Sequence, residues 1–186
     1  MIAIRPATPD DAAAIAAIYA PHVLTGTVSF ETDAPDAAAM RARMAASDGL
    51  YPWIVATGGE DASDVLGYAY AKSFRDRPTY RYVVETSIYV ASANQMQGAG
   101  RLLYGALIDT LRAQGFTQAI GAIALPNDAS IKLHELVGFR RAGVYREVGF
   151  KFDRWIDVGI WQRALNERVV PPIEPRPFTA VGVVRS

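Results

Sequence analysis

Two glycines, Gly98 and Gly100, stand between a β-prone run, Tyr82 to Val90, and an amphipathic stretch, Gly98 to Gln114, that Gly115 closes. This junction narrows the possible folds more than any other part of the chain, because a strand must give way to a helix within a few residues. At such a corner successive backbone N–H groups and the positive end of the helix dipole face the same space, a combination that holds phosphate well. Glycine lets backbone approach a ligand closely and permits positive φ. In Gln95-Met96-Gln97-Gly98-Ala99-Gly100-Arg101, the two glutamines add neutral donors and Arg101 adds a charge at the helix start. Short Gly-x-Gly turns also serve structure alone, so the turn by itself admits both readings. Two familiar phosphate loops fit it poorly. A dinucleotide fingerprint needs a third glycine where Leu103 stands, and a P-loop needs Gly-Lys-Ser/Thr, which is missing.

Any grip on an anion has to be local, because 19 Lys and Arg balance 19 Asp and Glu. No overall field draws such a chain to nucleic acid or to an anionic membrane. Cysteine is absent, which removes disulfides, thiolate nucleophiles and cysteine-based zinc sites, and the two histidines, His22 and His134, are too few for a metal cluster. No metal is expected. A chain of 186 residues, about half of them hydrophobic, fits one domain that folds without such staples. No stretch approaches a membrane span and the start, Met1 to Pro6, lacks a charged head followed by a long apolar run, so the expected location is cytoplasmic.

The order of elements follows from periodicity and turn residues. A short strand at Ile2–Arg5 leads to a helix over about Pro9–Tyr19, a Thr/Gly/Pro-rich loop at 21–34 and an alanine-rich helix at Asp36–Ala46. Trp53–Ala56 and Val65–Ala71 read as a hairpin, followed by the strand Tyr82–Val90 and the helix beginning at Gly98. A strand at Thr117–Ala124, a helix at Asn127–Val137 ended by Gly138, and strands at about Arg141–Val148 and Phe152–Gln162 complete residues 1–165. The tail, 166–186, carries four prolines between 171 and 177 and should lie extended over the surface or be disordered. Strand, two helices, three strands, helix, strand, helix, two strands is a mixed α/β (α+β) sheet, not an alternating doubly wound one.

Three consecutive motifs then become recognisable: Ser87-Ile88-Tyr89-Val90; Gln95-x-x-Gly98-x-Gly100; and Leu125-Pro126-Asn127-Asp128-x-Ser130-x-x-Leu133-His134-x-x-x-Gly138-Phe139. In this order they resemble the GNAT N-acetyltransferases. Thr27-Val28-Ser29-Phe30 and Gly149-Phe150-Lys151-Phe152-x-x-Trp155-x-Asp157-Val158-Gly159-x-Trp161-Gln162 extend the resemblance to the phosphinothricin and methionine sulfoximine acetyltransferase branch, which includes herbicide-resistance enzymes. The resemblance implies a mostly antiparallel central sheet flanked by helices, in which the strand ending at Val90 splays from that at Thr117–Ala124. Acetyl-CoA as co-substrate would lie in the wedge, its pantetheine arm pairing with the backbone of Ile88, Tyr89 and Val90 and its pyrophosphate on residues 96–101. Asn127 matches a position that touches the same arm, and it would equally serve as a helix N-cap.

The implied chemistry needs a base, since the acceptor's amino group is mostly protonated at neutral pH. Glu85 stands in the otherwise apolar and β-branched strand Val83-Val84-Glu85-Thr86-Ser87-Ile88 and matches the glutamate proposed as base in this branch. Alternation puts Glu85, Ser87 and Tyr89 on one face, so that face has to border the cleft. His134 occupies the place where many family members carry a tyrosine; it could act as acid, as second base, or as a packing residue. The N–H near Tyr89 or Val90 is the implied oxyanion donor. Phe74-Arg75-x-Arg77-x-x-Tyr80 resembles the branch's substrate loop, two arginines being suited to a carboxylate or phosphinate, with Phe30 and Lys151 as further substrate-side candidates. Arg75 and Phe150 depart from the herbicide-resistance enzymes, which carry lysine and tyrosine there. A small-molecule amine is the expected partner and a homodimer the expected assembly. Action on a protein N-terminus or lysine, or a non-catalytic acyl-CoA sensor, are the alternatives.

Overall fold

The computed structural model describes residues 2–58, 64–92 and 98–185. Its elements are β1 (Ala3–Pro6), α1 (Ala12–Leu24), α2 (Ala37–Ala45), β2 (Trp53–Gly58), β3 (Asp64–Ser73), β4 (Val83–Val90), α3 (Ala99–Gln114), β5 (Gln118–Ala124), α4 (Asp128–Leu136), β6 (Arg140–Lys151), β7 (Arg154–Ala164) and α5 (Phe178–Val181). Seven strands form one sheet in the order β1-β2-β3-β4-β5-β7-β6. β4 and β5 pair in parallel; the other neighbours pair antiparallel. This is the mixed sheet expected from the element order, mostly antiparallel as the resemblance implies.

The sheet separates two cores, as the alternation of its strands requires. Val84, Ala69 and Ala119 face α3, whose Leu103, Leu107 and Leu111 are fully buried. Trp53, Val55 and Tyr68 face the opposite side, against Ile15, Tyr19 and Val23 of α1 and Met40 of α2. Asp36 caps α2 by accepting from the Ala39 N–H at 2.8 Å, and Gly115 ends α3 at φ +98°, where a Cβ would be strained.

Two elements depart from the sequence reading. The first helix begins with a single 3₁₀ turn at Pro9–Asp11 and runs to Leu24, five residues beyond the expected end at Tyr19. Pro21 removes one backbone donor and crowds the carbonyl one turn back, while the turn it sits in buries Val23, so burial carries the helix through the proline. The tail crosses the surface without regular structure as far as Pro177, as expected, but it is fastened at several points and leads into the short helix α5. Glu174 pairs with Arg81 at 2.7 Å, Gln114 donates to the carbonyls of Leu50 and Arg176 at 2.7 and 2.8 Å, and Phe178 packs on the α3-side core.

Arg5 at the end of β1 holds the entry to α1, its guanidinium meeting both oxygens of Asp11 at 2.7 Å. The Thr8 N–H donates to the same carboxylate at 2.7 Å. The bonds from Arg5 hold the Asp11 carboxyl below its ordinary range against the opposing effect of burial. Asp11→Asn should therefore cost about 1.5–3 kcal/mol near neutral pH in a urea titration. Because the folded pKa is depressed, this contribution is present above the unfolded value of about 3.9 and is lost as pH falls through the folded one. The gap between wild type and variant should close in acid; a pH-independent gap would contradict the assignment.

Candidate active site

β4 and β5 pair only at Val83↔Gln118, Val84↔Ala119 and Glu85↔Ile120. Beyond that point β4 stays on β3 as far as Val90 and β5 stays on β7 as far as Ala124, so each strand follows its other neighbour and the two diverge. Thr86 sits where the ladder ends. Its hydroxyl donates to the Ile120 carbonyl at 3.2 Å and lies 2.8 Å from the buried Tyr104 hydroxyl of α3. Burial pushes the Tyr104 hydroxyl far up, so it stays protonated and supplies the proton of that bond.

Backbone direction in β4 is set by two bonds: the Tyr82 carbonyl accepts from Thr117 on the β5 side, and the Ala91 N–H donates to Leu66 on the β3 side. The N–H and C=O of one strand residue point the same way, and successive residues alternate. Ile88 and Val90 thus aim their backbone groups at the wedge, whereas Tyr89 aims its own at β3. Tyr89 reaches the site through its ring, edge-on to Tyr19 at 4.9 Å and 5.2 Å from His22.

An open cleft of about 500 Å³ follows the wedge, lined by Ile88, Tyr89, Val90, Gly98, Gly100, Arg101, Asn127 and Ser130, with His22 and Val28 across from them. Gly98 caps α3 at φ +83° and has no side-chain cap. A Cβ on Gly100 would lie 3.4 Å from Val90 and 3.5 Å from Leu133, so the helix start is seated close on β4 and α4. Ala99 is buried under the same turn. Gln95, Met96 and Gln97 lie outside the described residues. Asn127 lines the cleft and also caps α4, its Oδ1 accepting from the Ser130 N–H at 3.1 Å.

His134 is buried at the floor of the wedge, its ring edge-on to Tyr104 and Phe139 at 4.9 and 5.2 Å. Nδ1 lies 2.8 Å from the Ser130 carbonyl, an acceptor, so Nδ1 carries the proton and Nε2 the lone pair. Burial pulls its pKa down, outweighing the bond to Ser130, which keeps the ring neutral at pH 7. The Cδ2–Nε2 edge of the ring abuts β5, where a Cβ on Gly121 would meet Cδ2 and Nε2 at 2.6 Å.

Glu85 faces the α1 side of the sheet, as Ser87 and Tyr89 do. Its carboxylate meets Lys72 Nζ at 2.9 Å across the β3–β4 register. Lys72 belongs to a second cleft of about 500 Å³ between β3 and α2, walled by Trp53 and Tyr70 stacked at 4.2 Å and by Arg43, which is bonded to Glu31 at 2.7 Å. Sequence reasoning missed this wall. The period-2 spacing of Tyr68, Tyr70 and Lys72 was its one local signal.

The substrate-side candidates are dispersed. Phe74 packs edge-on to Tyr80 at 5.7 Å and Arg75 lies over the Phe74 ring at 5.0 Å. Arg75 and Arg77 are both exposed, on the turn after β3, and neither is among the residues that line the two clefts. Lys151 is buried with its ammonium bonded to the Val23 and Ser29 carbonyls, at 2.5 and 2.8 Å, which ties the loop after α1 to β6. The Phe30 ring occupies the space a side chain at Gly149 would need.

With this geometry in place, comparison with known proteins gives a consistent result. The model of the acetyltransferase (GNAT) domain matches residues 4–160. A phosphinothricin N-acetyltransferase of Alcaligenes faecalis is 46% identical over 165 residues, covering 88% of this chain and 82% of that one. An L-methionine sulfoximine/L-methionine sulfone acetyltransferase of Salmonella typhimurium is 39% identical over 121 residues, covering 65% and 69%. The crystal structure of a GNAT superfamily phosphinothricin acetyltransferase from Sinorhizobium meliloti in complex with acetyl-CoA superposes with a TM-score of 0.86 at 36% identity, covering 94% of this chain and 92% of that one. The chain belongs to the GNAT family of acetyltransferases.

The tight seat of the imidazole is testable without any ligand. Gly121→Ala should displace the ring and cost about 1–3 kcal/mol of unfolding free energy. In the double variant with His134→Ala, part of that cost should disappear. Strictly additive costs would show that the ring and β5 do not press on each other.

Proposed function

We propose that the chain transfers the acetyl group of acetyl-CoA directly to the amino group of a small amino acid analogue such as phosphinothricin or methionine sulfoximine. One observation carries the reading: the wedge presents the backbone of Ile88 and Val90 beside the N-terminus of α3, which begins after Gly98. An extended amide-bearing arm can pair with those groups as an added strand would, and the helix start offers N–H donors and Arg101 to a phosphate. The fit is therefore to a ligand with both parts, as acetyl-CoA has. When bound, it supplies an activated thioester.

The chain's own residues supply the rest. Glu85 accepts a proton from the acceptor's ammonium, directly or through one water, leaving a neutral amine as nucleophile. The Val90 N–H, aimed into the wedge, is placed to donate to the carbonyl oxygen as it gains charge; the Tyr89 N–H is turned towards β3. His134 has no proton on Nε2 in this state, which favours a role as proton acceptor or packing residue over that of an acid for the leaving thiolate. The absence of cysteine from the sequence leaves no cysteinyl acetyl-enzyme, consistent with direct transfer. The aromatic residues Tyr145, Phe150, Phe152 and Trp155 on β6, β7 and the turn between them are 52–62% exposed and would suit a homodimer interface, which a monomeric sedimentation mass would refute.

Glu85→Gln should lower kcat about 10²–10⁴-fold while leaving the acetyl-CoA dissociation constant within about twofold of wild type. Thiol release stimulated by phosphinothricin or methionine sulfoximine is the assay. Wild-type turnover by the variant across pH would remove Glu85 from the chemistry.

A further inference from the structure

The Lys72–Glu85 pair has a shape that the proposed acceptor shares. The two residues are register partners on neighbouring antiparallel strands, with Nζ 2.9 Å from Oε1, and Lys72 is 54% exposed on a flexible stem. An α-amino acid carries its own ammonium and carboxylate about 2.5 Å apart, measured from nitrogen to carboxyl carbon. Cross-strand partners have Cβ atoms about 4.5–5.5 Å apart, so the two charges of one amino acid can reach both side chains at once.

We propose that Lys72 is a specificity residue that receives the acceptor's carboxylate when the acceptor's amino group displaces it from Glu85. The proposal rests on Glu85 being the base for an amino acid acceptor. Exchange of partners makes the physical case. A zwitterion entering the pair gives Glu85 an ammonium and Lys72 a carboxylate, so no charge loses its counter-ion. An amine without a carboxylate takes Glu85 from Lys72 and leaves two ammonium groups side by side, which is a penalty built against the wrong acceptor. The other cation of this cleft, Arg43, is held by both oxygens of Glu31, at 2.9 and 2.7 Å. Lys72 instead has the partner that the reaction must free: burial opposes its charge most strongly, and the bond to Glu85 and the attraction of that carboxylate together raise its pKa in spite of it. The stacked Trp53 and Tyr70 beside it offer an apolar wall to the acceptor's side chain.

The test compares L-methionine sulfoximine with its α-carboxamide, which keeps the amine and loses the negative charge. Wild type should favour the free acid in kcat/KM by about tenfold or more, the scale of a charge-assisted hydrogen bond. In Lys72→Met this preference should fall about tenfold, and Lys72→Arg should retain most of it. Leaving Glu85 without its partner would slow both acceptors alike and cancels from the ratio. A wild-type enzyme that uses the carboxamide as well as the acid, or a preference unchanged in Lys72→Met, would overturn the assignment of Lys72 while amino acid acetylation stood. Transfer by wild type to neither acceptor would overturn the reading beneath it as well.

Discussion

Three register pairs join β4 to β5, and beyond them the sheet opens. The rest of the site depends on that early end. Parallel strands are normally paired along their shared length, and leaving backbone donors and acceptors unmatched in a sheet interior is costly. Here β3 and β7 hold the outer edges of the two strands, so divergence does not unravel them, and Thr86 satisfies the Ile120 carbonyl at the branch point. The gap leaves Ile88 and Val90 turned towards a cleft that ends at the glycine start of α3. A strand edge and a helix N-terminus thus meet in one channel.

The two faces of the sheet divide the work on either side of that channel. On the α3 side, Tyr104, Thr86 and His134 form a buried polar group at the branch point, with the imidazole held neutral. On the α1 side, the Glu85 carboxylate meets Lys72 at 2.9 Å, beside a wall of Trp53 and Tyr70. A strand with period 2 presents its residues to both regions, so one strand, β4, serves both.

Local patterning made much of this legible in the sequence. The glycines at 98, 100 and 115, the Asn127 cap and the alternation of the strands all act within a few residues, and the elements they specify appear with shifts at their ends. The family resemblance supplied the splay and the identity of Glu85. What stayed hidden depends on register between segments distant in the chain. Lys72 meets Glu85 only because β3 and β4 pair in one register across the connection at 74–82, which no local pattern sets. Lys151 shows the same limit: a lysine in a strand reads as a charge for a ligand, yet its ammonium closes on the carbonyls of Val23 and Ser29 more than a hundred residues earlier. The passage of α1 through Pro21 and the fastening of the tail by Gln114 likewise follow from burial and from distant partners, not from propensity.

Amide hydrogen exchange of β4 with and without acetyl-CoA tests the central claim most directly. The account predicts that the Ile88 and Val90 amides, turned into the wedge, gain strong protection when acetyl-CoA binds, while the Tyr89 amide, bonded towards β3, is protected already and changes little. Saturation with acetyl-CoA that leaves Ile88 and Val90 exchanging at their free rates would contradict it.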